Sequence, residues 1–301
     1  MGSIGLSAYG MTVTELVELA VCADELGFDA LWLGEHVLRP AGYGSEHPTT
    51  GTVQHHATIV DTDTELIDPW VAHAAIAAVT SRIKLGTAVY VTALRHPLHT
   101  ARTTISVQEL SGGRVLFGVG SGWLEEEFAA LSVPFRTRFS RTEECLDILR
   151  KSWSGVEFEH TGKHFTFDRV QVHPRPAPIP VVLGGNTPPA LARAARLGDA
   201  WFASGTPTPD EAVALVTELR RLRRESGNAE PFPCYVRVST TDPGILSAYR
   251  DSGVEDLVLW ADTLWTGDTV DERRRNLTAA AERLGVPGTS DAALSAAGQR
   301  N

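Results

Sequence analysis

Asp29-Ala-Leu-Trp-Leu33 is, behind its leading aspartate, an unbroken apolar run of strand length. A strand without polar residues at alternate positions is covered on both faces, the pattern of a parallel sheet clothed in helices. Just upstream, Thr12-Val-Thr-Glu15 has the form of a capping box, and Val13, Leu16, Val17, Ala20 and Ala23 follow at helical spacing until Gly27 ends the helix. A short apolar run over residues 4–7 precedes that helix. The segment thus reads strand, helix, strand. Downstream the alternation continues, with strands near 83–90, 115–119, 181–183, 200–203, 235–239 and 256–260. Helices are expected between them near 68–78, 97–110, 142–153, 189–197, 209–225 and 245–252, with a last one near 270–284. About eight β/α units in one chain fit a (β/α)8 TIM barrel better than a doubly wound sheet split into two domains.

The chain has 301 residues, enough for one large barrel. At 43% hydrophobic and 21% charged residues it is of globular composition. Residues 1–285 are expected to form a single barrel domain and 286–301, rich in Ser, Ala and Gly, a frayed tail. Two long interruptions stand out. One, over residues 35–67, follows strand two; the other, over 154–180, precedes strand five and has the pattern of a hairpin around Thr161-Gly162-Lys163. The first lies where a barrel builds its active site, so it is a candidate substrate loop or lid. A formal charge of -10 disfavours nucleic acid or an anionic membrane as the main partner. Cys22, Cys145 and Cys234 are far apart and lack metal-site spacing, so three buried thiols are expected. With no signal-peptide pattern and no apolar stretch of spanning length, the expected location is cytoplasmic.

In a barrel the functional residues collect where strands end. Strand two ends in Gly34-Glu35-His36, an acid beside the side chain best suited to move a proton near neutral pH. Strand three carries Tyr90 and runs on to Arg95-His96-Pro97, where Arg95 could fix an anion or form a salt bridge. Strand four runs into Gly118-Val-Gly120-Ser-Gly122-Trp123, whose spacing and place in the chain both fail the dinucleotide fingerprint. These glycines permit either close approach of a flat ring or another backbone, or simply a tight turn. Strand five ends in Gly184-Gly185-Asn186 directly before a helix, where backbone amides can bind an anion. Strand six closes on Ser204-Gly205, with further hydroxyl and amide donors. His47, His55 and His56 lack zinc-site spacing, and no metal is expected. Hydrolase motifs such as GxSxG are absent.

Taken together, these segments resemble the bacterial luciferase-like monooxygenase superfamily of flavin- and deazaflavin-dependent (β/α)8 barrels. The resemblance covers most of residues 4–285. It rests on Gly27-Phe-Asp-Ala-Leu-Trp-Leu-Gly-Glu-His36, on Arg95-His-Pro97 and on Leu110-Ser-Gly-Gly-Arg-Val-Leu-Phe-Gly-Val-Gly-Ser-Gly-Trp123 with Glu127-Phe128. Arg175-Pro-Ala-Pro-Ile-Pro180, Gly184-Gly185 and Ala195-Arg-Leu-Gly-Asp-Ala-Trp201 complete it. The compact length is similar to that of the branch using the deazaflavin coenzyme F420.

The resemblance implies an oxidoreductase that transfers hydride between F420 and a small organic substrate, with His36 as proton donor or acceptor and Glu35 as its neighbour. Gly184, Gly185, Asn186, Ser204 and Gly205 would hold the cofactor phosphate. Ala88-Val89, the place of a non-prolyl cis peptide, and Gly120 would lie near the ring. Trp123, Arg95 and Tyr90 would line the substrate pocket. A homodimer is expected. Two departures disfavour a sugar-phosphate substrate: Trp123 stands where the deazaflavin sugar-phosphate dehydrogenases place a catalytic Glu, and Pro207 near their phosphate-binding Lys. The usual Asp before the Leu-Ser-Gly-Gly run is Gln108. The motifs are common to both branches, so a reduced-FMN monooxygenase stays open, as does a flavin-binding protein without catalysis.

Overall fold

In a computed structural model, described at residues 2–42, 44–46, 64–228, 230–251, 253–286 and 288, the chain forms a closed barrel. Its first half runs β1 (Ile4–Ala8), α1 (Val13–Leu26), β2 (Ala30–Leu33), α2 (Pro69–Ala77), β3 (Lys84–Thr87), β4 (Tyr90–Val91), α3 (Pro97–Leu110), β5 (Val115–Gly120), α4 (Glu125–Ala130) and α5 (Arg138–Trp153). The hairpin β6 (Phe158–Thr161) and β7 (Thr166–Val170) follows. The second half runs β8 (Val181–Gly184), α6 (Pro188–Leu197), β9 (Ala200–Phe202), α7 (Pro209–Glu225), β10 (Cys234–Val238), α8 (Pro243–Asp251), β11 (Asp256–Trp260) and α9 (Val270–Leu284).

Every pairing in the large sheet is parallel, and the ring closes through β1 with β11 and β3 with β5, where Leu85 stands opposite Val115. The local signals act as the sequence implies. Thr12 and Glu15 form the reciprocal capping box of α1, and Gly27 ends that helix in the left-handed conformation. β2 is buried along its whole length. The larger core lies between strands and helices, while Trp32, Phe202 and Tyr235 pack ring against ring inside the barrel. The predicted hairpin is antiparallel and presents Phe158 and Phe167 to Cys145 and Ile148 of α5. Gln108, in the place of the usual acid, is buried; its amide donates to the Pro178 carbonyl and accepts from the Val115 amide, tying α3 to the start of β5. All three cysteines are buried and unbridged.

The third strand departs from expectation. The predicted continuous strand over residues 83–90 is two short pieces, β3 and β4, separated by the non-prolyl cis peptide that the resemblance places between Ala88 and Val89. Most of the interruption after β2 and most of the tail fall outside the described residues, as do His47, His55 and His56.

Candidate functional site

A cavity of about 790 Å³ opens at the C-terminal end of the barrel strands, within the range of roughly 300–1,000 Å³ usual for ligand sites. Its wall begins where β2 ends. There the chain leaves the sheet at Gly34, and both Glu35 and His36 reach the cavity. They do so in separate networks. The His36 Nδ1 lies 3.0 Å from Glu127 Oε2, and both side chains are almost fully buried. The other Glu127 oxygen accepts from the backbone amide of Val37 at 2.6 Å. One carboxylate on α4 therefore fixes both the imidazole and the backbone that carries it. Facing a carboxylate, Nδ1 carries the proton, and Nε2 is left as the basic position. The Trp123 ring meets His36 edge-on at 5.5 Å and the Tyr9 ring does so at 6.3 Å.

Glu35 belongs to the other network. Its carboxylate accepts from the Val91 amide at 2.8 Å and pairs with the Arg95 guanidinium, so it locks the end of β2 to β4. Burial pushes Glu35 up to about 7, against the opposing pull of Arg95 and the Val91 amide. Arg95 stacks on Tyr90, whose ring packs with Trp70 and Phe117 between barrel and helices. Tyr90 and Arg95, expected in the substrate pocket, are thus off the cavity wall. The reason is alternation: past the cis peptide, Val89 and Val91 line the cavity and Tyr90 points into the outer core.

The glycines that close β5 and β8 serve that same turn. A Cβ on Gly120 would come within 2.2 Å of Val89 Cγ2, and one on Gly184 within 2.8 Å of Val89 Cγ1. Their missing side chains make room for Val89. The close backbone approach read from sequence is met at Gly118, where a Cβ would run into the Thr87 carbonyl, whereas at Gly120 and Gly184 the Val89 side chain takes the space, and Gly120, Ala88 and Val89 line the cavity.

At the start of α6, Gly184, Gly185, Asn186, Ser204 and Gly205 come together as expected. Asn186 is already committed: its amide nitrogen donates to the Ser204 carbonyl and its oxygen accepts from the Ser204 amide, both at 2.8 Å. It ties two loops together. Two prolines at the head of α6 remove two backbone donors, so the helix start offers fewer amides than expected. Two cations stand nearby, of which Arg193 is already paired, its Nε donating to Glu143 at 3.1 Å. Arg193, one turn into α6, and Arg138, at the head of α5, both line the cavity and stack against Phe139. The Arg138 Nε is buried without a hydrogen-bond partner.

Sequence reasoning missed Tyr9, Arg138, Arg193, Arg237 and Trp260 on the wall, and gave Glu127 no role. Tyr9, Arg237 and Trp260 carried a usable signal, since each stands at or near the C-terminal end of a strand. Glu127, Arg138 and Arg193 stand on helices, where no local spacing marks them. Among the described residues no cluster could hold a metal ion, and no helix is long and apolar enough to cross a membrane.

Residues 2–290 match the family model for luciferase-like monooxygenases. An uncharacterized protein of Mycobacterium tuberculosis is 32% identical over 250 residues, covering 82% of this chain and 84% of the relative. An F420-dependent glucose-6-phosphate dehydrogenase of Nakamurella multipartita is 29% identical over 200 residues, 65% of this chain and 53% of that protein. The crystal structure of the monooxygenase RslO1 from Streptomyces bottropensis superposes with a TM-score of 0.72 at 18% identity, covering 94% of this chain and 98% of that one.

Proposed function

Because the chain belongs to the luciferase-like monooxygenase family, we propose that it is an oxidoreductase that moves a hydride between the deazaflavin F420 and a small organic substrate. The observation that carries this reading is the His36–Glu127 pair on the wall of a cavity large enough for a cofactor and a small ligand. The choice of F420 over FMN leans on relatives named as F420-dependent dehydrogenases.

The residues present suit such a cofactor. Backbone at Gly184 and Gly185, the Ser204 hydroxyl, and the cations Arg138 and Arg193 would hold its phosphate. The orphaned buried Nε of Arg138 is the kind of donor an anion satisfies. Ala88, Val89 and Gly120 would back the ring. Bound there, a deazaflavin would supply the hydride-donor or hydride-acceptor chemistry. The protein's own part is the proton: His36 Nε2 accepts it from the substrate in oxidation and returns it in reduction, while Glu127 stabilises the imidazolium and keeps the ring oriented. Trp123 and Tyr9 restrict the ring's movement and keep water from its edges.

Adding F420 and FMN separately to the purified protein and following the quenching of cofactor fluorescence tests the assignment. Tight binding of F420 is expected. Tight binding of FMN alone would overturn it in favour of a reduced-FMN monooxygenase, and tight binding without turnover of any substrate would favour a flavin-binding protein without catalysis.

A further inference from the structure

Arg237 stands on β10, directed into the barrel and onto the cavity wall. Only 8% of it is exposed. Its guanidinium packs over two aromatic rings, 4.9 Å from the centre of Phe202 and 4.3 Å from that of Trp260. No carboxylate faces it: its Nε is buried without a partner, and none of the described residues gives the guanidinium a hydrogen bond or an ion pair. Burial alone lowers its pKa, to about 10, so it stays charged at neutral pH. Arg95, a half-buried cation nearby, by contrast has Glu35.

A guanidinium withdrawn from water needs a counter-charge, and two aromatic faces replace only part of its lost hydration. An apolar core position would be filled by an apolar side chain. An arginine left unpaired at a cavity is instead complete only when a ligand brings the anion. The cofactor phosphate has its own donors at the head of α6. What remains at Arg237 is one planar fork of N–H donors on the cavity wall, packed on two rings, which matches a carboxylate in shape and charge.

We propose that Arg237 anchors a carboxylate of the substrate, so that the small molecule processed at His36 is an organic acid. The proposal rests on reading the cavity as a joint cofactor and substrate site, but the anchor can be measured without any cofactor. Binding of propionate, benzoate and phenylacetate to the cofactor-free protein is compared with that of their three amides, which match them in size and lack the charge. The wild type is expected to bind at least one acid tenfold or more tightly than its amide. Arg237→Met should abolish that preference without lowering the unfolding temperature, and Arg237→Lys should keep part of it. If no acid outbinds its amide, or if Arg237→Met retains the preference, the assignment is wrong. If Arg237→Met weakens F420 quenching tenfold while acid binding is unchanged, the guanidinium serves the cofactor and the proposal also falls. If neither F420 nor FMN binds yet the acid preference holds and depends on Arg237, the anchor stands and the cofactor reading is the one that fails.

Discussion

At the level of single residues, the site turns on which acid holds the histidine. Glu35 and His36 are neighbours in sequence, but backbone geometry sends them into different networks, and the acid on the imidazole comes from 91 residues away. Adjacent residues can be read as a pair; a partner on another element cannot, because the fold brings it there. Two substitutions separate the roles. His36→Asn removes the titrating nitrogen and should lower kcat by about 100-fold or more while cofactor affinity stays within about twofold, since proton transfer contributes roughly 10²–10⁴-fold. Glu127→Gln keeps an acceptor for the Val37 amide but turns a donor toward Nδ1 or forces the imidazole into the other tautomer. The expected result is a fall in kcat of roughly 10- to 100-fold with little change in melting temperature. A Glu127→Gln protein with unaltered kcat and pH profile would show that this carboxylate only fastens the loop after β2.

Among the elements, the decisive piece is the join between β3 and β4. Apolar composition over residues 83–90 predicts one strand and gives no sign of the break, because the residues on either side of it are all compatible with extended chain. The family resemblance places it at Ala88-Val89, and its trace in the residues themselves is indirect, in the glycines at 120 and 184 on the two following barrel strands, whose empty Cβ positions receive Val89. Short glycine-rich strand ends were legible, whereas the side chain they accommodate was not. Gly120→Ala should therefore destabilise the protein by about 1–3 kcal/mol, the usual result of overfilling a packed site. Removing the two methyl groups in Val89→Ala should recover part of that loss when the substitutions are combined. Denaturant unfolding of the four proteins in a double-mutant cycle gives the coupling directly. Additive effects would mean that Gly120 is required for some reason other than Val89.

For the whole molecule, the barrel was legible because eight repeats of one local pattern leave little topological choice. Continuous apolar strands such as β2 demand cover on both faces, which the barrel interior gives on one side and capped helices such as α1 on the other. Closure through β3 and β5 then follows from the number of units rather than from any residue. The same architecture sets a pH dependence. His73, on α2, is fully buried against β3, donating Nε2–H to the Gly86 carbonyl at 2.9 Å. Desolvation lowers its pKa from 6.5 to about 4, outweighing the Gly86 hydrogen bond and the nearby Asp68, which both act the other way. Between those values the unfolded chain binds a proton at this position and the folded chain does not. Acid therefore favours unfolding: the contribution is complete above pH 6.5 and is lost as pH falls toward 4, by roughly 3 kcal/mol in all. His73→Gln preserves a donor for Gly86 and removes the titration. Acidic side chains elsewhere weaken both proteins alike, so the quantity to measure is the difference in urea unfolding free energy between wild type and variant at pH 7.5, 5.5 and 4.5. That difference should narrow steadily with acid. If it is the same at all three values, His73 is protonated as readily in the folded barrel as in the free chain, and the buried neutral imidazole against β3 is wrong.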